Sequence, residues 1–213
     1  MTLPLTTTTR RIAACNTNTD PDLAARLLGT SKPSDEPISY DMVLEVLGLD
    51  DALSCCCAEP GLASYWRRYA IWIAMQVEHL MADQRSLALL DVAKRYIAGA
   101  ATDEELAAAR NENRAAYLYS CSAAKAAITA GATRKHYAPA LAAATVSSAA
   151  CFNTDSISYV CFNARCAFSS DAIVGYDLPN PAAVDAAAVM GQRQAQAFRQ
   201  LVTSGTLPEQ EVQ

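Results

Sequence analysis

Apolar residues recur at intervals of three and four along most of the chain, the spacing of α-helices that bury one face. This spacing, with the capping residues beside it, predicts helices over 20–28, 39–47, 50–58, 64–81, 86–97, 103–131, 133–150, 154–168 and 180–204. No segment alternates apolar and polar residues between hairpin turns, as a strand would. The pattern therefore predicts an all-α fold, a compact bundle of about eight or nine helices.

Local signals mark several helix ends within a single predicted domain over 20–205. Residues 102–105 read Thr-Asp-Glu-Glu, a capping box that begins a helix. Gly48 and Gly205 directly follow predicted helices, and Gly99 comes two residues after the end of a third. We divide the domain into acidic N-terminal helices (20–58), central helices (62–131), charge-poor helices (133–169) and a C-terminal helix (180–204). Residues 1–19 are predicted to be a flexible N-terminus, and residues 206–213 a tail.

The segment 64–81 is apolar nearly all round, which predicts a central helix. Its aromatic residues are Tyr65, Trp66, Tyr69 and Trp72. Such a set would suit a ligand cage, but offsets of three and four residues are those of ordinary core packing. We therefore expect these rings to belong to the core.

Composition and charge narrow the classes of partner. Of the 50 residues at 101–150, 19 are alanine, so the helices there are thin and can pack closely. A net charge of −5 argues against direct binding of nucleic acid, which needs clustered Lys and Arg. The longest stretch without a charged residue, 136–154, is too polar for a membrane span, and no secretory signal is visible. We expect no membrane partner and a cytoplasmic location.

Acidic residues are concentrated near the N-terminus. Over residues 20–51 the local charge is −6, because only Arg26 and Lys32 oppose eight acids. Such a segment is either a solvated face or a surface that meets a basic protein. The candidate partner-binding acids are Asp35, Glu36, Asp41, Glu45, Asp50 and Asp51.

The segment 138–168 carries aromatic side chains among small residues, with only Asp155 and Arg165 charged. These helices are either interior, as a many-helix domain requires of some, or covered on one face by a partner or a second copy. The candidate contacts for the second case are Phe152, Tyr159 and Phe162.

The eight cysteines are predicted to be free, buried thiols, because the chain is large and shows no secretory signal. They are Cys15, Cys55, Cys56, Cys57, Cys121, Cys151, Cys161 and Cys166. Three successive side chains on a helix point in three directions, so the triplet at 55–57 cannot converge on one metal unaided. A metal site joining one triplet member to His79 stays an alternative, and we assign no metal or cofactor residue.

No catalytic motif is recognisable. His79 and His136 lie on different predicted helices, and neither is accompanied by a nucleophile and a carboxylate. The chain also lacks a G-x-S-x-G elbow, an H-E-x-x-H pair and a phosphate-binding glycine loop. We therefore expect a protein that is not an enzyme. If it were one, Cys57, His79 and His136 would be the residues to mutate.

Four segments resemble the alanine-rich helical proteins of bacteriophages and prophages, some of which carry the label of putative immunity protein. The segments are 43–53 (VLEVLGLDDAL), 69–77 (YAIWIAMQV), 91–96 (DVAKRY) and 102–110 (TDEELAAAR). The resemblance covers about 39–116, with support from the C-terminal helix. It implies an accessory protein that acts in the bacterial cytoplasm by binding a host or rival protein.

These observations together give a hypothesis of function. We expect a non-enzymatic phage protein that inhibits a bacterial defence-system protein, such as a CRISPR-Cas effector, by steric occlusion. One alternative is an immunity protein that neutralises a toxin. Another is a structural, virion or self-assembling accessory protein, and a homo-oligomer is compatible with each.

Overall fold

The computed structural model describes residues 4–15, 23–30, 32–131, 134–151, 157–172 and 181–209. Within them, the strands are β1 (Thr6–Thr8) and β2 (Pro37–Ser39). The α-helices are α1 (Thr9–Cys15), α2 (Leu23–Leu28), α3 (Tyr40–Leu47), α4 (Leu49–Ser54), α5 (Ala63–Gln76), α6 (Gln84–Ile97), α7 (Asp103–Thr129), α8 (Ala138–Ala150), α9 (Ile157–Ala172) and α10 (Pro181–Ser204). Short 3₁₀-helices span Cys55–Ala58, Pro60–Leu62, Glu78–Leu80 and Arg134–Tyr137. The predicted all-α class is confirmed.

The chain divides into two compact units. The first comprises Met1–Tyr69 and Gln194–Gln213, and the second comprises Ala70–Arg193. The sequence pattern does not indicate this division, and the single domain over 20–205 stays a prediction.

An aromatic cluster forms the centre of the first unit. The rings of Trp66 and Phe198 stack with their centroids 5.9 Å apart, and Tyr40 meets Trp66 edge-on at 5.0 Å. Tyr69 meets Phe198 edge-on at 5.5 Å, and its hydroxyl donates to the carbonyl of Gln194 over 3.0 Å. Aromatic pairs in these geometries add to the free energy gained by burying the rings. The core role predicted for Trp66 and Tyr69 is confirmed.

The N-terminal segment is ordered over residues 4–15, so the prediction of a flexible N-terminus is wrong there. Thr6–Thr8 pairs antiparallel with Pro37–Ser39, and the amide of Leu5 donates to the carbonyl of Val202 over 2.8 Å. Leu5, Thr7 and Thr9 are buried whereas Thr6 is exposed, which is the alternation of a strand. A run of threonines conceals this alternation, because both faces carry the same polar residue, although threonine favours strands. The expectation that no segment forms a strand is wrong for β1 and β2, because strands of three residues are too short to show an alternating pattern.

Two predicted helices are shorter than expected. The helix predicted over 64–81 ends at Gln76, where Val77 leaves the α region and a 3₁₀ turn follows. The helix predicted to be capped by Asp50 begins at Leu49, after Gly48 and without a side-chain cap, and the cysteine triplet lies in a 3₁₀-helix. Apolar spacing does not separate an α-helix from a 3₁₀ continuation of three or four residues, because one turn is too short to show the difference between 3.0 and 3.6 residues per turn.

The predicted capping box is confirmed at the start of α7. The amide of Thr102 donates to Glu105 Oε2 over 2.8 Å, and the amide of Glu105 donates to Thr102 Oγ1 over 3.2 Å. The bond from the Thr102 amide, followed by the bond from Arg95, lowers the pKa of the Glu105 carboxyl below its usual range. Reciprocal bonds of this kind satisfy two of the amides that a helix start leaves unpaired.

Packed helices α6, α7, α8 and α9 form the core of the second unit. α8 packs against both α7 and α9, and eight of its 13 residues are buried. Its side chains are mostly alanine, so neighbouring helices can approach closely. Of the two charge-poor helices, α8 is therefore interior.

A buried asparagine joins three of these helices. Asn113 of α7 accepts a hydrogen bond from Ser86 Oγ of α6 over 2.7 Å and donates to the carbonyl of Ala143 in α8 over 3.2 Å. Ser86 and Asn113 are fully buried. Buried polar groups cost free energy unless they are paired, so this network favours one register of the three helices.

The aromatic cluster gives a first prediction. We expect Phe198→Ala to lower the free energy of unfolding by about 3–5 kcal/mol, because it removes a fully buried ring from a close-packed core. The matched control is Phe162→Ala at a side chain that is 55% exposed, where a change within about 0.5 kcal/mol is expected. Urea unfolding followed by circular dichroism measures both. Equal losses in the two variants would contradict the assignment of Phe198 to the core.

A second prediction concerns the buried asparagine. Asn113→Ala leaves the Ser86 hydroxyl and the Ala143 carbonyl unpaired, so we expect a loss of about 1–3 kcal/mol in unfolding free energy. Asn111→Ala, on the exposed side of the same helix, should change stability little. The same unfolding measurement compares them, and an unaffected Asn113→Ala variant would rule out a stabilising network.

Candidate partner-binding face

The residues that flank α3, Ser39 and Gly48, determine where the helix begins and ends. Ser39 begins the helix as its N-cap, with its hydroxyl oxygen accepting from the amide of Met42 over 3.1 Å. Gly48 ends it with a φ of 82°, a conformation that side-chain-bearing residues rarely adopt, and its amide donates to the carbonyl of Leu44. Both ends of the helix are therefore fixed by specific bonds.

Apolar side chains occur on both sides of this helix. Tyr40, Val43 and Leu44 are buried in the first unit. Met42 is 43% exposed and Val46 is 38% exposed. Met42 and Val46 are four residues apart, so they lie on one side of the helix. The outer side of α3 thus presents a small apolar area to solvent.

Acidic side chains accompany these apolar residues. Glu45 is exposed between Met42 and Val46, and Asp50 and Asp51 are exposed in the first turn of α4. No described residue of opposite charge forms an ion pair with Glu45 or Asp51. We name the set Met42, Glu45, Val46, Asp50 and Asp51 the outer face of α3 and α4.

At least three of the six predicted acids, Asp35, Asp41 and Asp50, interact with other residues of the chain. Arg10 Nε donates to both carboxylate oxygens of Asp35 over 2.9 Å. Arg199 Nε donates to Asp41 Oδ1 over 2.7 Å, which ties the start of α3 to the end of α10. Both ion pairs are solvent-exposed, so each contributes little to stability, but their charges are already matched. Glu36 is exposed in the loop before β2.

Two of the three predicted aromatic contacts, Tyr159 and Phe162, are described, and they lie in the second unit. Tyr159 is 65% exposed and Phe162 is 55% exposed, one helical turn apart on α9, while Val160 and Cys161 between them are buried. Phe152 lies outside the described residues. The structure therefore places two of the three aromatic candidates on the surface of one helix, on the side away from its buried stripe.

The prediction that all cysteines are free is wrong for two of them. Cys15 and Cys57 form a disulfide, which the sequence does not predict because the two cysteines lie 42 residues apart and connectivity cannot be deduced from spacing alone. Cys55 is a buried thiol, and its burial, with a smaller contribution from the charge of Asp51, raises its pKa to about 12. Cys151 is exposed, so the expectation of burial is wrong for this thiol.

The groups considered for metal binding or catalysis are dispersed. The sulfur of Cys57 is bonded to Cys15, so it offers no thiolate to a metal in this state. His79 and His136 are both exposed, each in a 3₁₀-helix. Over the described ranges, no three residues of the His, Cys, Asp and Glu types lie where they could hold a metal ion together.

Comparison with other proteins assigns no family. The chain matches no protein-family model, no curated protein and no solved structure. Among the described residues, no helix has the length and apolar character needed to cross a membrane. The fold is all-α, and the features that bear on function are its exposed side chains.

Proposed function

We propose that this protein is a non-enzymatic inhibitor that binds a bacterial defence-system protein, such as a CRISPR-Cas effector, and blocks it by steric occlusion. The outer face of α3 and α4 is the docking surface. One observation carries the proposal: Met42 and Val46 are exposed beside the acid Glu45, although the same helix buries its opposite side. The neutralisation of a toxin by an immunity protein would use the same kind of contact.

The chemistry of this face indicates its partner. Protein interfaces combine apolar anchors, which exclude water, with charged residues at the rim that set orientation. Met42 and Val46 supply anchors, and methionine adapts its shape to the surface that it meets. Glu45, Asp50 and Asp51 supply negative charge. The complementary surface carries lysine or arginine side chains around an apolar patch.

Basic surfaces of this type are common on proteins that bind nucleic acid, because phosphate neutralisation requires clustered lysine and arginine. An acidic protein that occupies such a surface excludes the nucleic acid without performing any reaction. The net charge of −5 attracts a basic surface before contact, which raises the rate of association. The sequence resemblance to phage accessory proteins supports a defence protein as the target.

A third prediction tests the docking surface. We expect Met42→Ala/Val46→Ala to weaken binding to the partner about tenfold or more, because apolar anchors at an interface centre typically cost more than about 1 kcal/mol when truncated. We expect Glu45→Lys/Asp51→Lys to slow association and to weaken its dependence on salt. Surface plasmon resonance against a defence protein co-purified from bacteria measures both effects.

The controls make the same chemical changes elsewhere. Val184→Ala/Val189→Ala truncates two exposed apolar side chains of α10, and Glu112→Lys/Asp185→Lys reverses two exposed charges. Both controls should bind like the unmodified protein. Equal losses in control and test variants would show that net charge or stability, and not this face, governs binding.

Self-assembly is a second candidate function, and the exposure of Tyr159 and Phe162 favours it. Two large apolar side chains on adjacent turns of a helix form a seam that a second copy can cover.

A fourth prediction addresses this candidate. If α9 mediates association, the protein sediments as a dimer or larger species, and Tyr159→Ser/Phe162→Ser converts it to a monomer. Sedimentation velocity decides the matter, because a monomeric unmodified protein excludes this function at the concentration used.

A further inference from the structure

A disulfide closes the loop that carries the outer face. Cys15, the last residue of α1, is bonded to Cys57 in the 3₁₀-helix that follows α4. The 42-residue separation encloses α2, β2, α3 and α4. Every residue of the outer face therefore lies inside this covalent loop.

The disulfide is open to solvent on at least one side. Cys15 is exposed and Cys57 is half-buried, so a small reductant can approach the sulfurs without unfolding of the chain. Accessible disulfides are the labile and regulatory ones, whereas enclosed disulfides resist exchange.

Other contacts hold α1 against the same segment. Arg11 Nη1 donates to Glu59 Oε2 over 2.6 Å, and Ile12 is fully buried. These contacts do not depend on redox state. Without the disulfide, α1 can still pack through these non-covalent contacts, but it can also dissociate from the segment. The disulfide therefore acts as a latch.

We propose that the Cys15–Cys57 disulfide is a reversible redox latch that keeps α3 and α4 ordered and that a dithiol reductant opens. One thiolate of the reductant attacks one sulfur of the bond, which forms a mixed disulfide and releases the other cysteine as a thiolate. The second thiol of the reductant then displaces the first cysteine. The protein gains two electrons and two protons, and the reductant becomes an intramolecular disulfide.

The length of the loop sets the size of the effect. A disulfide restricts the unfolded chain more when it closes a longer loop, and bonds across loops of this size change the folding equilibrium by on the order of 30- to 1,000-fold. We expect a rise in local opening of that order in reduced protein. Because the outer face lies within the loop, reduction should also weaken binding to the partner, and this consequence alone depends on the proposed function.

The test compares oxidised and dithiothreitol-treated protein in native buffer. Alkylation followed by mass spectrometry of peptides should detect labelled Cys15 and Cys57 only in reduced protein. The labelling should not require denaturant. Hydrogen exchange of residues 40–54 should accelerate by about 30-fold or more in the reduced state, whereas α8 should exchange equally in both. Labelling that requires denaturant, or unchanged exchange over 40–54, would overturn the proposal.

Two variants separate the latch from other thiol effects. Cys15→Ser/Cys57→Ser should exchange like reduced protein and no longer respond to dithiothreitol, while Cys151→Ser, which removes an exposed thiol elsewhere, should respond like the unmodified protein. If the double variant does not fold, reduced unmodified protein gives the same comparison. These measurements need no partner, so a failed binding experiment leaves the latch intact and a failed exchange experiment leaves the docking surface intact.

Discussion

The stacking of Phe198 on Trp66 joins the C-terminal helix α10 to α5. The two rings lie far apart in sequence, and their contact brings the last turns of α10 against α5, with Tyr40 at the start of α3 packed edge-on beside them. The amide of Leu5 adds a bond to the carbonyl of Val202. Because Tyr40 begins α3, the same cluster fixes which side of that helix faces the core and which side faces solvent.

The outer face follows from this arrangement. Burial of Tyr40, Val43 and Leu44 directs Met42, Glu45 and Val46 outward, since residues on an α-helix alternate between sides with a period of 3.6. Asp41 is held by Arg199 from the same end of α10 that carries Phe198. The aromatic core and one surface ion pair thus position α3, and the disulfide between Cys15 and Cys57 encloses it covalently.

Much of the helical structure could be predicted, because strong local signals specify it. The capping box at Thr102 and Glu105 and the glycines at 48, 99 and 205 mark ends that depend only on nearby residues. The strand at Thr6–Thr8 and the disulfide depend on pairing between distant residues, which local periodicity does not encode. For α9, the sequence is compatible with both a buried helix and a helix covered by a partner, since Tyr159 and Phe162 would suit either.

The sequence also does not show which of the candidate acids are paired within the fold. Local charge identifies the segment 20–51, but only the fold distinguishes Asp35 and Asp41, which pair with Arg10 and Arg199, from Glu45 and Asp51, which no described cation matches. The sequence does not predict the exposure of Met42 and Val46 either, because an amphipathic helix is expected to bury its apolar residues. Departures of this kind from the folding pattern are expected at functional sites.

Hydrogen exchange of the protein in complex with a co-purified defence protein shows whether α3 and α4 form the docking surface. Exchange over residues 40–54 should be slower in the complex than in the free protein, with α7 and α8 unchanged. Protection confined to α9, or no protection over 40–54 at partner saturation, would contradict this assignment.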